Sequence, residues 1–326
     1  MPTIPNAPEG QKGSVDGTEK VPVDGSFFII ISQVAEYIRT LAQTLTNKTL
    51  TTPTIGDFTN AQHDHAGPAS GGGPIASYTI PRTVVDGLTL SNNGSDANND
   101  IDIAAGQAVD DGLTDNMILA AALTKRLDAN WAVGTNQGGL DTGAEANSTW
   151  YHVWLIMRPD TGVVDVLFSL SATAPTMPAN YTKKRRIGAI KNDSSGNILP
   201  FLQYGDEFIW TSPPAVDVGV TNLSTSRVDY TLPSVPTGVI VKVAFNVRIG
   251  GAASRLVYVS NPSLVDLAPS ATVTPLAQID SIGTNNCVMT MQVYTNISAQ
   301  ISARSSGTST DFFVAVLGWV DPRGKR

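Results

Sequence analysis

The chain is short of the residues that most often carry chemistry. It has one cysteine and three histidines in 326 residues, and 15% of its residues are charged, against roughly 25% in ordinary soluble domains. The single Cys287 makes no internal disulfide, so the fold does not depend on an oxidising compartment. Its setting, "CVMTMQV", predicts a buried apolar thiol. Long apolar runs are missing too. Runs such as "FFIII" at residues 27–31 and "MILAAAL" at 117–123 are far below the roughly 20 residues of a membrane span, and no N-terminal basic-then-apolar signal is seen. The expectation is a protein made in a cytoplasm and kept there or released by lysis. Basic residues are outnumbered, 21 against 28 acidic, for a net charge of −7 and a pI near 4.9. That balance argues against a protein that grips nucleic-acid backbones, whose affinity comes from clustered Lys and Arg. Nucleophile-elbow, phosphate-loop, dinucleotide-fingerprint, HExxH and CxxC patterns are absent, and no pair of carboxylates is marked out for glycoside cleavage. The sequence therefore predicts a protein that is not an enzyme.

What is present is turn chemistry and β pattern. Gly (29) and Pro (20) together with 41% apolar residues suit a β-rich, turn-rich protein, and the length suggests about two domains. The first 75 residues differ from the rest. "MPTIPNAPEGQKGSVDGTEK" is a polar, Pro/Gly-rich arm that cannot hold a regular helix. After "FFIII", Ser32 is placed as an N-cap, and Val34, Ile38, Leu41 and Leu45 follow at spacings of 4, 3 and 4, the rhythm of a helix seam. A seam of about three turns is marginal alone, so it buries itself against copies of itself or against another surface, its own chain's body included. "TLTNKTLTTPTIGDF" then places Leu45, Leu50 and Ile55 every five residues, a spacing suited to winding around identical extended segments. "GPASGGGP" closes this stalk as a flexible boundary.

From about residue 76 the pattern has period two. "TWYHVWLIMRPDTGVVDVLFSLS" predicts strands at 149–158 and 163–171 around the turn "PDTG". The segment before it, "DNMILAAALTKRL", predicts a helix. A Pro-rich stretch, "WTSPPAVDVG", sets a boundary near Pro213. Beyond it "GVIVKVAFNVRIGG", "SRLVYVS", "CVMTMQVYT" and "DFFVAVLGWVD" are strand-length pieces of a β-sandwich or jelly roll. The expected architecture is mainly β: an arm, short helix and trimeric stalk over 1–75, a β-rich domain over 76–212, and a C-terminal β-sandwich over 213–326.

Candidate sites are few. His63 and His65 in "HDH" point to one face of an extended strand. One chain offers two ligands. Three parallel chains offer six nitrogens, an octahedral set that suits iron or nickel better than zinc. The competing reading is a pair of solvated loop histidines. His152 falls by alternation on the side of Trp150 and Trp154 and reads as a hydrogen-bonded histidine of a core or sheet face. "SNNGSDANNDIDIAAGQAVDD" at 91–111 reads as a solvated loop leading into a strand at 101–104, with a hard cation as the alternative. "KKRR" at 183–186 reads as a strand edge with alternating buried and solvated arginines, with a nucleic-acid patch as the alternative. In the C-terminal block, Tyr258, Asn261, Asn285 and Asn286 lie near turns, where recognition residues tend to sit, and are candidates for contact with another molecule; the alternative is that this block only caps and stabilises the assembly.

Several of these stretches resemble one family. "GTEKVPVDGSFFIIISQVAEYI" resembles the N-terminal segments of tailed-bacteriophage fibre proteins, "TLTNKTLTTPTI" is similar to their shaft repeats, and "HDHAGPASGGG" resembles their H-x-H and glycine junction. The block from "KRLDANWAVGTNQGGLDTG" to "TKKRRIGAI" looks like a domain widespread in phage tail and fibre proteins. Together these span roughly residues 15–212. The resemblance implies a homotrimeric virion appendage, a tail fibre that joins other virion proteins by its N terminus and presents its distal part to a host-surface glycan or protein, without nucleic-acid binding or membrane insertion. It also implies iron at His63 and His65, although the pair occurs once here where shafts that rely on it repeat it. A glycan-degrading tailspike and a capsid fibre or decoration protein are the alternatives. A depolymerase of that kind rests on repeats of about 20–50 residues, and none are visible.

Overall fold

The computed structural model describes residues 81, 83–251, 253–272, 278–281 and 286–325. The chain divides between Pro74 and Ile75, at the end of "GPASGGGP", and Ile75–Arg326 forms one compact unit. The expected helix seam of Val34, Ile38, Leu41 and Leu45, the stalk, and the pair His63 and His65 lie outside the described residues, as does Asn285. Among the described residues there is no helix, and every regular element is a strand. The first twelve are β1 (Val85–Gly87), β2 (Leu90–Asn92), β3 (Asp100–Ile103), β4 (Gly106–Val109), β5 (Asn116–Leu119), β6 (Leu123–Asn130), β7 (Gln137–Leu140), β8 (Trp150–Arg158), β9 (Val163–Ser169), β10 (Lys183–Lys191), β11 (Phe201–Tyr204) and β12 (Glu207–Trp210). The remainder are β13 (Val218–Val220), β14 (Val228–Thr231), β15 (Lys242–Gly251), β16 (Arg255–Ser260), β17 (Gln278–Ser281), β18 (Cys287–Tyr294), β19 (Gln300–Ser305) and β20 (Thr310–Val320).

A seven-stranded sheet in the order β10-β8-β9-β7-β6-β3-β2 organises the first half, with β1-β4-β5 as a smaller sheet beside it. Strand β8 is paired on both sides, with β10 and β9, and "WYHVWLIM" is buried on both faces. Tyr151, Val153 and Leu155 enter the main core, while Trp154 and Ile156 enter a second cluster with Leu167 and Tyr181. The expected 149–158/163–171 hairpin is present as β8 and β9, and the strand expected at 101–104 is β3. The helix expected over "DNMILAAALTKRL" is instead β5 and β6. Met117, Leu119, Leu123, Lys125 and Leu127 all fall on odd positions and all are buried, whereas Ile118 between them is 56% exposed. The preference of alanine for helix gives way to pairing, β5 with β4 and β6 with β3 and β7.

In the second half, β15 carries Val243, Phe245, Val247 and Ile249 inward and β20 carries Phe312, Val314 and Val316, with polar residues between them on β15. They face Val257, Val259, Ile301 and Ala303 of the four-stranded sheet β14-β19-β16-β17, a sandwich-like arrangement of two sheets.

The boundary expected near residue 213 does not divide the packing. The hairpin β11–β12 extends the sheet of β20, β15 and β18, with Phe208 opposite Trp319. Trp150, Trp210 and Trp319 meet at centroid distances of 5.1–5.9 Å, and Phe208 stacks on Trp319 at 5.2 Å. One hydrophobic cluster therefore runs from Leu88 to Trp319. Prolines 213 and 214 report the local course of the chain and carry no information about which strands it returns to. Gly188 is needed at the seam, since a Cβ there would stand 2.8 Å from Leu90 Cδ1 and 2.9 Å from Phe208 Cζ.

Candidate functional site

The densest charged constellation of the described chain gathers around its last residues. After β20 the segment Asp321–Lys325 turns back onto β8 and β10. Asp321 is fully buried and accepts two hydrogen bonds from Arg186, Nη1 to Oδ1 at 2.6 Å and Nη2 to Oδ2 at 2.7 Å. Arg186 Nε donates to His152 Nδ1 at 2.9 Å. One guanidinium is thus fixed between a carboxylate and an imidazole, with each of its three nitrogens donating one bond. Arg323 Nε donates to Ile187 O at 2.9 Å and Nη2 to Leu88 O at 2.8 Å, while Arg185 Nε donates to Arg323 O at 3.0 Å. Lys325 closes the arrangement on Asp206, at 2.7–2.8 Å to both oxygens.

Burial and charge set the protonation states. His152 is 1% exposed. Desolvation first, and then the positive charge of Arg186, lower its pKa from 6.5 to about 3, with Asp321 and a hydrogen bond to the backbone of Thr237 acting in the opposite direction. It is therefore a neutral acceptor, with Nδ1 occupied. Burial pushes the Asp321 carboxyl up, but the charge and hydrogen bonds of Arg186 and the amide of Arg323 outweigh it and hold the group below the usual range. The backbone is strained at both ends of this clasp: Leu88 has φ of 52° and Arg323 has φ of 48°. Non-glycine residues in that region cost on the order of 1–3 kcal/mol and persist where the surroundings fix them.

Beside the clasp opens a cleft of about 420 Å³, lined by Asp111, Trp154, Thr173, Arg186, Ile240 and Pro322 among others. Lys184 crosses its rim, with Nζ 5.0 Å from the Trp154 ring centroid and donating to Thr173 O at 2.8 Å. Because Arg186 and His152 are spent on internal bonds, what the cleft offers a ligand is an apolar wall with polar groups at its edge, suited to contact. His152 is also poorly suited to proton transfer, since burial makes it a weak base.

The sequence-based candidates scatter. His152 lies buried in a sheet face as expected. Of its two tryptophan neighbours, Trp150 belongs to the main core and Trp154 to the second cluster. "KKRR" is a strand edge, β10, but both Arg185 and Arg186 are buried, at 0% and 3% exposure, where alternation between core and solvent was expected. Both take a partner from residues 321–323, some 135 residues away, Arg186 from Asp321 and Arg185 from Arg323 O. Tyr258 is 4% exposed inside β16, so it presents no ring to a host surface. Asn261 is half-buried and donates to the carbonyls of Tyr294 and Thr295, and Asn286 is exposed and accepts from Arg248 at 3.0 Å. Cys287 is a free, half-buried thiol at the start of β18, where full burial was expected. In the polar loop 93–99, Asn93 and Asp96 bond to nearby backbone amides in local turns. Sequence reasoning missed Asp321, Arg323 and Lys325. The one signal available in "DPRGKR" is that an acid and three bases directly follow a strand made to be buried.

No protein-family model and no curated protein matches the chain.

Proposed function

We propose that the protein is a structural and adhesive component of a phage virion, a trimeric tail fibre or related appendage. In this reading residues 1–75 join the particle and form the stalk, with Val34, Ile38, Leu41 and Leu45 along the three-fold axis and one iron ion held by His63 and His65 of the three chains. The β body is displayed outward and meets a host-surface glycan or protein through exposed loops and grooves. The observation that carries the reading is the break at Pro74/Ile75. A compact all-β body begins directly after a segment whose sequence resembles a fibre arm and shaft and has too few apolar residues for a core of its own. Rigid β scaffolds that hold loops, multiplied by three, raise a weak single-site affinity through effective concentration.

Adsorption competition tests it. The purified full-length chain, added in large excess, is expected to reduce attachment of phage particles that carry it. Undiminished adsorption at saturating protein, with the chain shown to be folded, refutes the adhesive role.

A further inference from the structure

A second, shallower groove lies on the first half of the body, and its construction is unlike that of an incidental crevice. It is about 270 Å³ in volume and is lined by Asn130, Trp131, Asp141, Thr142, Thr176 and Met177 with their neighbours. Trp131 is half-buried, so part of its ring system faces the groove. That ring is fixed on three sides. Its Nε1 donates to Val166 O at 3.1 Å, Tyr181 meets it edge-on at 5.1 Å and 74°, and the Lys125 ammonium stands 5.4 Å from its centroid.

The loop that carries Trp131 is pinned from below at some cost. Lys125 and Asp165, 0% and 1% exposed, form an ion pair at 2.9 Å. Lys125 Nζ also donates to Ala132 O at 2.7 Å, and Asp165 Oδ2 accepts from Gly134 N at 2.8 Å. Burial lowers the Lys125 pKa against the pull of Asp165. A buried ion pair is often no more stabilising than apolar residues of the same volume. What this pair does supply is one shape for residues 131–135, the loop that begins with Trp131.

The rim is polar and partly uncommitted. Asp141 holds the facing wall: its Oδ2 accepts from Thr176 N at 2.8 Å, and its Oδ1 has Thr142 Oγ1 at 3.5 Å, leaving acceptor capacity on the carboxylate. Asn130, Thr142 and Thr176 are exposed and add an amide and two hydroxyls. A preorganised indole with carboxylate, amide and hydroxyl groups around it matches a ligand that has an apolar C–H face and a ring of hydroxyls. The volume lies below the roughly 300–1,000 Å³ of pockets that take drug-sized molecules, so the occupant is a single small ring.

We propose that this groove binds one pyranose residue of a host-surface polysaccharide, stacked on Trp131 and hydrogen-bonded by Asp141 and its polar neighbours. The proposal rests on the adhesive reading above and places a contact at residues 130–178, outside the C-terminal loops from which the host-binding candidates were drawn. A dozen or so heavy atoms correspond to a millimolar dissociation constant per site, which is enough for a repeated polymer met by three copies.

Saturation-transfer NMR on the full-length protein tests it, with a panel of methyl hexopyranosides and methyl N-acetylhexosaminides as probes. Transfer to at least one glycoside is expected, with loss of most of the signal in Trp131→Ala. Thr142→Arg fills the groove from an exposed position without touching the core, and it should abolish transfer while leaving the urea midpoint unchanged. No transfer to any probe, or undiminished transfer in Thr142→Arg, overturns the proposal. A chain that competes for adsorption yet binds none of the glycosides refutes the groove and leaves the adhesive reading standing.

Discussion

Stability should fall between pH 6.5 and pH 3 because of one residue, His152. In the folded chain its pKa is about 3 against a reference of 6.5. Below pH 6.5 the unfolded chain takes up a proton that the folded chain refuses. The unfolded state then binds more protons, so folding stability rises with pH across this window: it is fully present above about 6.5 and lost progressively toward 3. The full difference is 6.5 − 3 = 3.5 units, or about 5 kcal/mol at 1.36 kcal/mol per unit, of which about 2 kcal/mol falls between pH 7 and pH 5. The Asp321 carboxylate, whose pKa is lowered by Arg186 despite burial, contributes stability that is complete above its unfolded value near 3.8, so it is silent in the upper part of the window. The assay is urea unfolding followed by tryptophan fluorescence. All five tryptophans, Trp131, Trp150, Trp154, Trp210 and Trp319, lie in the described body. His152→Gln keeps an acceptor for Arg186 and removes the titration. Wild type should lose about 2 kcal/mol more than this variant between pH 7 and pH 5. Groups common to both proteins, His63 and His65 included, cancel in the comparison. Parallel pH profiles would refute the assignment of a buried neutral imidazole.

Two further outcomes follow from the packing. Asp321→Asn leaves the Arg186 guanidinium buried without its countercharge and should cost about 3–5 kcal/mol, read as a lower urea midpoint; the double variant Arg186→Leu with Asp321→Leu should recover much of that loss, and a single variant within 0.5 kcal/mol of wild type would show that the pair is solvated. Gly188→Ala places a methyl against Leu90 and Phe208 and should cost about 1–3 kcal/mol by overpacking, measured in the same way; a neutral result would mean that β10 has room at its bulge.

The parts of the fold that were legible in the sequence are those where local pattern and packing agree. The β8–β9 hairpin is marked at both levels, by continuous apolar residues and by a turn of Pro159, Asp160, Thr161 and Gly162, with Gly162 at a φ of 71°. Strands β15, β16, β18 and β20 were legible for the same reason. At β5 and β6 the levels disagree, because three alanines favour helix locally while burial on odd positions alone favours strand. Only the partners β3, β4 and β7 decide the outcome, and no window of sequence contains them. The short strands β13 and β14 were missed because three or four residues carry too little alternation to register. Of the candidate site residues, Tyr258 was misplaced because an aromatic near a turn reads as exposed, whereas its neighbours in β16 bury it.

The clasp was illegible for a deeper reason. Charge in a sequence predicts solvent exposure because a buried ion alone costs several kcal/mol, and within "KKRR" and "DPRGKR" the Asp321 carboxylate finds only the amide of Arg323, while its countercharge, Arg186, lies in the other stretch. The compensation exists only when the two stretches meet, with bonds that span 135 residues from Arg186 to Asp321 and 235 from Arg323 to Leu88. The tryptophan cluster brings the same elements together, but apolar contact is non-directional and tolerates a shift of one strand past another. The clasp does not tolerate it. A displacement of one residue along β10 in one direction would put Ile187 in the place of Arg186, removing the bond that Arg186 donates to His152 and leaving Asp321 unpaired in the core; in the other direction Arg185 would take that place and give up its bond to Arg323 O. Hydrophobic burial accounts for why the two halves associate, and the buried charges account for why they associate in a single position, with the chain end locked onto the strand that sits at the edge of the seven-stranded sheet.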